Sequence, residues 1–236
     1  LPEFRKIIKS NPNFVELCLK EKEVQKITLQ PINRFKFDAA IIFSDILMVP
    51  FALGQDLNFK KNFGPILGDF SNNKIKKISP KVFSRRLKPV YNSIRLVKNN
   101  KLLKNRDLIG FVGAPWTILV YMLNRNSPKK KLKKIFKDKV LISDLLKLIN
   151  KYLSIHIKNQ IKSGATVIQI FDSWAGLVND KDLEDLIYNP TKKLVNYTKS
   201  LKVPSICFPR NINNYQEYTD VIKPNVISID YNVNPI

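Results

Sequence analysis

The amino-acid sequence predicts an α/β protein built on a parallel β-sheet, and three observations support this prediction. Five short apolar runs recur along the 236 residues, polar or aromatic residues close each run, and segments with helical spacing separate them. Apolar runs of this length are typical of strands that are buried on both faces, as in a parallel sheet. Strands and helices that alternate in this order form right-handed crossovers, with the helices outside the sheet.

The predicted strands end next to side chains that can do chemistry. The strands cover residues 38–47, 108–114, 166–171, 203–208 and 225–229. The first ends at Ser44-Asp45, the second precedes Pro115-Trp116-Thr117, and the third precedes Asp172-Ser173-Trp174. The carboxyl ends of parallel strands share one face, where the active sites of α/β enzymes lie. Polar residues at these ends are therefore candidate site residues.

Apolar residues spaced three and four apart predict the helices between the strands. The predicted helices cover residues 21–34, 82–99, 141–162 and 181–201. A proline should kink or end three of them, at Pro31, Pro89 and Pro190. Gly164 fits a C-terminal cap after the helix that precedes it. Residues 48–80 contain three glycines and predict an irregular excursion with short elements.

Two closures of the sheet are compatible with this order of elements. An open doubly wound sheet usually carries a glycine-rich turn after its first strand, but the seven glycines form no G-x-G-x-x-G or Walker loop. The alternative is a (β/α)8 TIM-type barrel, of which five strands are visible, and a typical barrel takes ~250 residues or more. No linker-like segment divides the chain. We therefore predict one domain over residues 1–236, an incomplete barrel.

The composition narrows the classes of function. The net charge of +22 raises the alternative of a nucleic-acid-binding module. The lysines are scattered without an Arg-rich arm, zinc-finger spacing or RNP motif, which favours solvated basic faces. Cys18 and Cys207 lie among apolar neighbours and predict buried thiols in a reducing cytoplasm. No apolar run approaches the roughly 18 to 20 residues of a membrane span, and the first residues do not form a signal peptide.

The residue inventory excludes several chemistries. His156 is the single histidine and lies beside an apolar helix face, so we expect a core histidine with one hydrogen bond. A three-histidine zinc site is excluded, and no Cys/His spacing predicts another metal site. Ser173 lacks the G-x-S-x-G elbow of a serine hydrolase. The chemistry must therefore use carboxylates, hydroxyls, tyrosine and arginine.

Each candidate residue also has a purely structural alternative. Asp45 could cap the N-terminus of the following helix, and Asp172 or Ser173 could cap the helix after the third strand. Tyr121 could pack its ring and extend its hydroxyl to solvent. Arg210, after the fourth strand, could add positive charge near the cleft. The longer motifs around these residues decide between the alternatives.

Three motifs follow one another along the chain: F-S-D-I-L at 43–47, G-A-P-W-T at 113–117 and F-D-S-W-A-G at 171–176. Together with L-P-E-F-R at 1–5 and F-P-R at 208–210, they resemble the uroporphyrinogen decarboxylase family in the family's own order. The resemblance covers essentially the whole chain. It implies a distorted (β/α)8 barrel that forms a homodimer.

The resemblance implies a cytoplasmic carboxy-lyase of haem and tetrapyrrole synthesis that needs no cofactor. The reaction is conversion of uroporphyrinogen III, a small-molecule substrate, to coproporphyrinogen III, and no metal, nucleic acid or membrane takes part. By matching motif, Asp45 is the catalytic residue that accepts hydrogen bonds from pyrrole N–H groups and stabilises the developing positive charge. Tyr121 and Ser173 match positions that hydrogen-bond the substrate's carboxylates.

Two departures from the family pattern remain. The family's R-Q-A-G-R segment would precede Leu1, and its H-G segment would follow Ile236, so we expect a domain that is truncated at both ends. The alternative enzyme is a corrinoid- or thiol-dependent methyltransferase of the same barrel superfamily. Such enzymes generally need a zinc ion held by Cys and His, for which the sequence offers no cluster.

Overall fold

The computed structural model describes residues 1–128, 132 and 134–234. Within these residues, five strands form a parallel sheet and two further strands form an antiparallel hairpin. The strands are β1 (Ala39–Ile41), β2 (Leu57–Lys60), β3 (Gly64–Leu67), β4 (Asp107–Gly113), β5 (Val167–Asp172), β6 (Ser205–Pro209) and β7 (Val226–Ile227). The sheet order is β1-β4-β5-β6-β7, so each strand of the sheet lies beside the next one along the chain.

The helices lie between the strands as the apolar spacing predicts. They are α1 (Pro2–Ser10), α2 (Phe14–Cys18), α3 (Glu21–Phe35), α4 (Met48–Ala52), α5 (Asn72–Lys76), α6 (Pro80–Arg86), α7 (Lys88–Lys98), α8 (Pro115–Asn124), α9 (Lys139–Lys162), α10 (Asn189–Ser200) and α11 (Tyr215–Ile222). The predicted excursion at 48–80 contains α4, the β2–β3 hairpin and α5. No helix in the described part of the chain is long and apolar enough to cross a bilayer.

The prolines act differently in the three helices. The break between α6 and α7 comes just before Pro89. Pro190 lies in the first turn of α10, directly after a π-helical segment, Glu184–Tyr188, so the helix changes its type there and does not stop. Pro31 lies inside α3, which continues to Phe35 and ends at Lys36 in the left-handed conformation. Of the two predicted effects, a kink or an end, the helix therefore does not end at Pro31.

The first strand is shorter than the sequence predicts. β1 ends at Ile41, and Ile42 adds one more hydrogen bond, from its N–H to the carbonyl of Ile109 on β4 at 3.0 Å. Beyond it the chain turns, because the carboxylate of Asp45 accepts the backbone N–H of Leu47 at 2.8 Å. A side chain that bonds its own backbone two residues on favours a turn over a strand.

The core lies between the sheet and the helices and includes the single histidine and both cysteines. His156 is buried on α9, and its Nδ1 lies 3.1 Å from the hydroxyl of Tyr91. Burial lowers the pKa of His156 to about 3, so the ring is neutral. Cys18 and Cys207 are buried free thiols, and burial raises the pKa of each to about 12. The predictions of a core histidine and of two buried thiols are confirmed.

Candidate active site

The three predicted site residues follow three adjacent strands at the same end of the sheet. Asp45 lies in the turn after β1, Tyr121 lies on α8 directly after β4, and Ser173 is the first residue after β5. β4 pairs with both β1 and β5, and all three strands run parallel. The carboxyl ends of the strands therefore bring these three segments to one face, as predicted.

Asp45 is half-buried, and its carboxyl group has a raised pKa. Its Oδ1 accepts the N–H of Leu47. Helix α4 begins at Met48, so the residue directly before the helix is Leu47 and not Asp45. The bond of Asp45 to the N–H two residues on is nevertheless of the kind that capping side chains make, so the structural alternative stands beside the functional one. Burial raises the pKa of Asp45 to about 6, and the Leu47 hydrogen bond opposes part of that rise. The carboxyl group is thus mostly ionised at neutral pH and easily protonated below it.

Packing fixes the segment that carries Asp45. The N–H of Phe43 donates to the hydroxyl of Thr28 on α3 at 3.0 Å. The Phe43 ring meets Phe4 and Phe14 edge to face, with centroids 5.7 and 5.6 Å apart. These contacts join the turn after β1 to three helices and hold Asp45 at the edge of the core.

A glycine allows this turn to approach the neighbouring strand. Gly113 is the last residue of β4, and a Cβ placed there would lie 3.2 Å from the Cβ of Ile46 and closer still to the side chain of Ile118. A side chain at this position would push the turn after β1 away from the end of β4. The glycine of the G-A-P-W-T motif thus serves close packing between the two strand ends.

Tyr121 and the segment after β5 are in contact. The ring of Tyr121 meets the ring of Trp174 edge to face, with centroids 5.8 Å apart. The indole Nε1 of Trp116 donates to the carbonyl of Trp174 at 3.0 Å. Tyr121 packs, as its structural alternative proposes, and the partner is the residue next to Ser173. The structure therefore places Tyr121 against the residue that directly follows Ser173.

The capping alternative fails for the residues after β5. The helical turn Ala175–Leu177 follows Trp174, which makes no side-chain capping bond. Asp172 is 1% exposed and directs its carboxyl group to the helix layer, where the hydroxyl of Thr117 donates to Oδ1 at 2.6 Å. Burial raises the pKa of Asp172 to about 7, and the Thr117 bond opposes that rise.

Sequence reasoning missed this bond between Thr117 and Asp172. One signal was available, because Asp172 follows Ile168 and Ile170 at alternate positions of β5. Alternate residues of a strand share a face, so the carboxyl group belongs on the buried face. The partner could not be read from this pattern, since it lies on another element.

The ends of β6 and β7 show two further polar residues. Arg210 is exposed, and its backbone N–H donates to the carbonyl of Asp172 at 3.1 Å while its carbonyl accepts the N–H of Gly176. Asp230 accepts the hydroxyl of Tyr215 at 2.6 Å and is buried. Arg210 thus joins two loops through its backbone, and the Asp230 carboxylate is engaged within the protein. In the part of the chain that the structure describes, no three His, Cys, Asp or Glu side chains could hold a metal ion.

The sequence matches the protein family described as Uroporphyrinogen decarboxylase (URO-D) over residues 1–236. The chain belongs to this family. Relatives named uroporphyrinogen decarboxylase come from Rickettsia felis, Rickettsia conorii and Rickettsia bellii, at 37%, 38% and 38% identity. Each comparison covers 98% of this chain, and 68%, 68% and 69% of the respective relative. Enzymes of this name are carboxy-lyases, which confirms the enzyme class predicted from the motifs.

A solved structure shows the same fold. A methyltransferase from Methanosarcina mazei superposes with a TM-score of 0.68 at 14% sequence identity. The match covers 92% of this chain and 63% of the methyltransferase chain. At this identity the likeness concerns the fold alone. The uroporphyrinogen decarboxylase fold is a TIM barrel, so the predicted barrel class is confirmed, with five of its parallel strands in the described residues.

Proposed function

We propose that this chain is a uroporphyrinogen decarboxylase that converts uroporphyrinogen III to coproporphyrinogen III by removing carbon dioxide from four acetate side chains. The observation that supports this most is the half-buried carboxyl group of Asp45 at the carboxyl end of β1. It lies on the face that also carries Tyr121 and Ser173, within the motifs that match the family.

The proposed reaction needs a group that accepts the electron pair left behind when the acetate loses carbon dioxide. Protonation of the pyrrole carbon beside the acetate gives a cationic ring. The bond between the methylene and the carboxylate then breaks, carbon dioxide leaves, and the pair forms an exocyclic double bond that neutralises the ring. A proton on the methylene makes the methyl group, and loss of the first proton restores the pyrrole. Each acetate therefore exchanges carbon dioxide for one proton.

Asp45 has the properties that this chemistry requires. A carboxylate accepts hydrogen bonds from pyrrole N–H groups, and its charge stabilises a cationic ring. The partly desolvated setting strengthens that interaction relative to water. With a pKa of about 6, the group is charged at neutral pH before the substrate binds. The turn that holds the carboxyl group is packed against three helices, so little reorganisation accompanies the reaction.

Tyr121 and Ser173 supply hydroxyl groups for substrate carboxylates in this proposal. Both are half-buried at the same end of the sheet, and Trp174 joins them. A hydroxyl that donates to a carboxylate makes a charge-assisted hydrogen bond, which is stronger than a neutral one. These residues would therefore orient the acetate and propionate groups while Asp45 acts at the ring nitrogens.

The proposal includes the wider predictions from the resemblance. The protonated pyrrole itself takes up the electrons, so no cofactor is needed. We propose a single barrel domain that acts as a homodimer in the cytoplasm and binds neither nucleic acid nor membrane. The buried free thiols of Cys18 and Cys207 fit a reducing compartment.

The test is anaerobic conversion of uroporphyrinogen III by the protein expressed from its complete open reading frame, followed by chromatography. We expect coproporphyrinogen III, and a fall in turnover of about 100-fold or more for Asp45→Asn, the size typical for loss of a preorganised electrostatic group. Asp38→Asn is the matched control, because Asp38 is an exposed carboxylate at the other end of the same strand. Absence of coproporphyrinogen with the unaltered protein would contradict the proposal, and wild-type turnover by Asp45→Asn would remove the role of Asp45.

A further inference from the structure

Thr117, in the first turn of α8, is a fully buried threonine whose hydroxyl joins two other parts of the chain. It donates to Oδ1 of Asp172 at 2.6 Å and accepts the backbone N–H of Trp174 at 3.1 Å. A threonine hydroxyl has one proton to donate, so acceptance from Trp174 leaves that proton for the carboxyl group. The direction of both hydrogen bonds is therefore determined.

The bond to Asp172 holds in both protonation states of the carboxyl group. Among the described residues, Oδ2 of Asp172 has no hydrogen-bond partner, and the bond to Thr117 occupies Oδ1, so a proton on Oδ2 would be an O–H without an acceptor. Oδ1 accepts from Thr117 whether or not Oδ2 is protonated. The titratable neighbours Cys207 and Tyr218 stay neutral, since burial raises the pKa of the thiol to about 12 and that of the phenol well above 10. Ionisation of these two neighbours therefore does not disturb the hydrogen bond between Thr117 and Asp172.

Trp174 is held by α8 at three points. Thr117 accepts its backbone N–H, Trp116 donates to its carbonyl at 3.0 Å, and Tyr121 packs against its ring. Ser173 lies between Asp172 and Trp174, and both of these neighbours are tied to α8. The backbone of Ser173 therefore has little freedom to move relative to Tyr121 on the same helix.

We propose that Thr117 and Asp172 form a positioning pair that sets the distance between the hydroxyl groups of Ser173 and Tyr121. Thr117 is 0% exposed and Asp172 is 1% exposed, so neither touches a substrate. Both act through the segment after β5. The role of that distance in binding substrate carboxylates rests on the proposed function, whereas the positioning itself rests on the three contacts with Trp174.

Tryptophan fluorescence tests the positioning without any need for turnover. The chain has two tryptophans, Trp116 and Trp174, and both belong to this cluster. Thr117→Val removes the hydroxyl at nearly constant volume, and Thr117→Ser keeps it. Thr198→Val is the matched control, because Thr198 is equally buried but its hydroxyl donates only to Leu194 of its own helix. We expect a shifted emission spectrum for Thr117→Val alone, and an unshifted spectrum would overturn the proposal.

Steady-state kinetics on uroporphyrinogen III test the consequence for binding, with the protein from the complete open reading frame. Thr117→Val should raise KM about tenfold with a smaller change in kcat, the size expected for the loss of one well-placed hydrogen bond. Thr117→Ser should restore the wild-type KM. An unchanged KM, or failure of serine to restore it, would overturn the role in binding.

A second variant keeps the test independent of whether Thr117→Val folds. Asp172→Leu removes the oxygen that accepts from Thr117 while Thr117 is kept, so its emission spectrum should shift, and an unshifted spectrum would contradict the pair. Asp172→Asn retains an accepting oxygen and is the matched control, whose spectrum should match the wild type. If the unaltered protein produces no coproporphyrinogen, the proposed function fails, while the fluorescence comparison still decides the positioning.

Discussion

Asp45 and Asp172 lie at the same end of neighbouring parts of the sheet, but their side chains meet opposite surroundings. Asp45 is half-buried in the turn after β1, and a backbone N–H of its own turn donates to it. Asp172 is fully buried against the helix layer, and a threonine hydroxyl from α8 donates to it. Burial raises the pKa of both, to about 6 and about 7. A raised pKa alone therefore does not distinguish a residue that can reach a substrate from one that positions its neighbours.

A threonine hydroxyl also holds each of the two segments, the turn after β1 and the segment after β5, but the two hydroxyls donate to different groups. Thr28 on α3 accepts the N–H of Phe43 before Asp45, and Thr117 on α8 accepts the N–H of Trp174 after Asp172. The Thr28 hydroxyl then donates to a carbonyl of its own helix, whereas the Thr117 hydroxyl donates to the carboxyl group of Asp172. The segment after β5 is thus tied to helix and strand together, and the turn after β1 relies on aromatic packing.

Among the variants compared for folding, the largest expected change in the free energy of unfolding is that of Asp45→Asn. Burial lifts the pKa of Asp45 from 3.8 to about 6, so the folded state prefers the protonated form. That preference stabilises the fold fully below pH 3.8 and is lost as the pH rises through about 6. Asp45→Asn should therefore raise the free energy of unfolding at pH 8 by about 1–2 kcal/mol, allowing for solvent on its exposed side.

Urea unfolding at pH 8 and pH 4 measures this effect. The difference between wild type and Asp45→Asn should vanish at pH 4, where the wild-type carboxyl group is protonated. Asp172→Asn should gain less at pH 8, because its new amide donor enters a site with no acceptor for Oδ2 among the described residues. A destabilised Asp45→Asn would show that the folded state favours the carboxylate and would contradict a raised pKa for Asp45.

The next prediction uses the pH dependence of kcat/KM to distinguish the carboxyl group of Asp45 from that of Asp172. The kcat/KM of the wild-type enzyme should fall about tenfold per pH unit below an apparent pKa near 6, since protonated Asp45 cannot stabilise a cationic ring. Asp172→Asn should keep this acid limb, because its bond to Thr117 does not depend on ionisation. If Asp172→Asn no longer shows this fall of kcat/KM at acid pH, the titrating group is Asp172, and Asp172 rather than Asp45 controls the reaction.

A smaller effect is expected for the two hydroxyls that we propose bind substrate carboxylates. Tyr121→Phe and Ser173→Ala should each raise KM about three- to tenfold, the range for one hydrogen bond, with kcat changed less. Tyr197→Phe, on the half-buried part of α10, is the matched control and should leave KM unchanged. A fall in kcat at constant KM would place the two hydroxyls in the chemical step instead.

The smallest effect should come from the threonine behind Asp45. Thr28→Val removes the acceptor for the N–H of Phe43 but leaves the contacts of Phe43 with Phe4 and Phe14. We expect kcat to fall only about threefold, because aromatic packing still holds the turn. A loss as large as that of Asp45→Asn would mean that hydrogen bonding, and not packing, positions the carboxylate.

The sheet and the strand ends that carry the candidate site residues could be predicted because they follow from local patterns. Apolar runs of strand length end at Asp45, at the segment before Tyr121 and at Ser173, and parallel pairing brings those ends together. The extent of β1 could not be predicted from apolar character, because the turn made by the Asp45 carboxylate overrides strand propensity after Ile42. The continuation of α3 past Pro31 likewise could not be predicted, because proline inside a helix normally breaks it.

The pairing of Thr117 with Asp172 could not be predicted from the sequence, for a different reason. Thr117 and Asp172 are 55 residues apart, on a helix and a strand that meet only after the sheet has formed. Each lies inside a recognised motif, but the motif does not state which side chain its residues contact. Alternation along β5 predicts that Asp172 is buried, and only the crossing of α8 identifies its partner.

The central claim is that Asp45, and not Asp172, acts on the substrate, and the single-turnover rate of the first decarboxylation tests it most directly. Enzyme in excess over uroporphyrinogen III, at saturating concentration and pH 7.5, separates this step from binding and product release. We predict a rate at least about 100-fold below wild type for Asp45→Asn and within about threefold of wild type for Asp172→Asn. Equal rates for the two variants, or the larger loss in Asp172→Asn, would contradict the account.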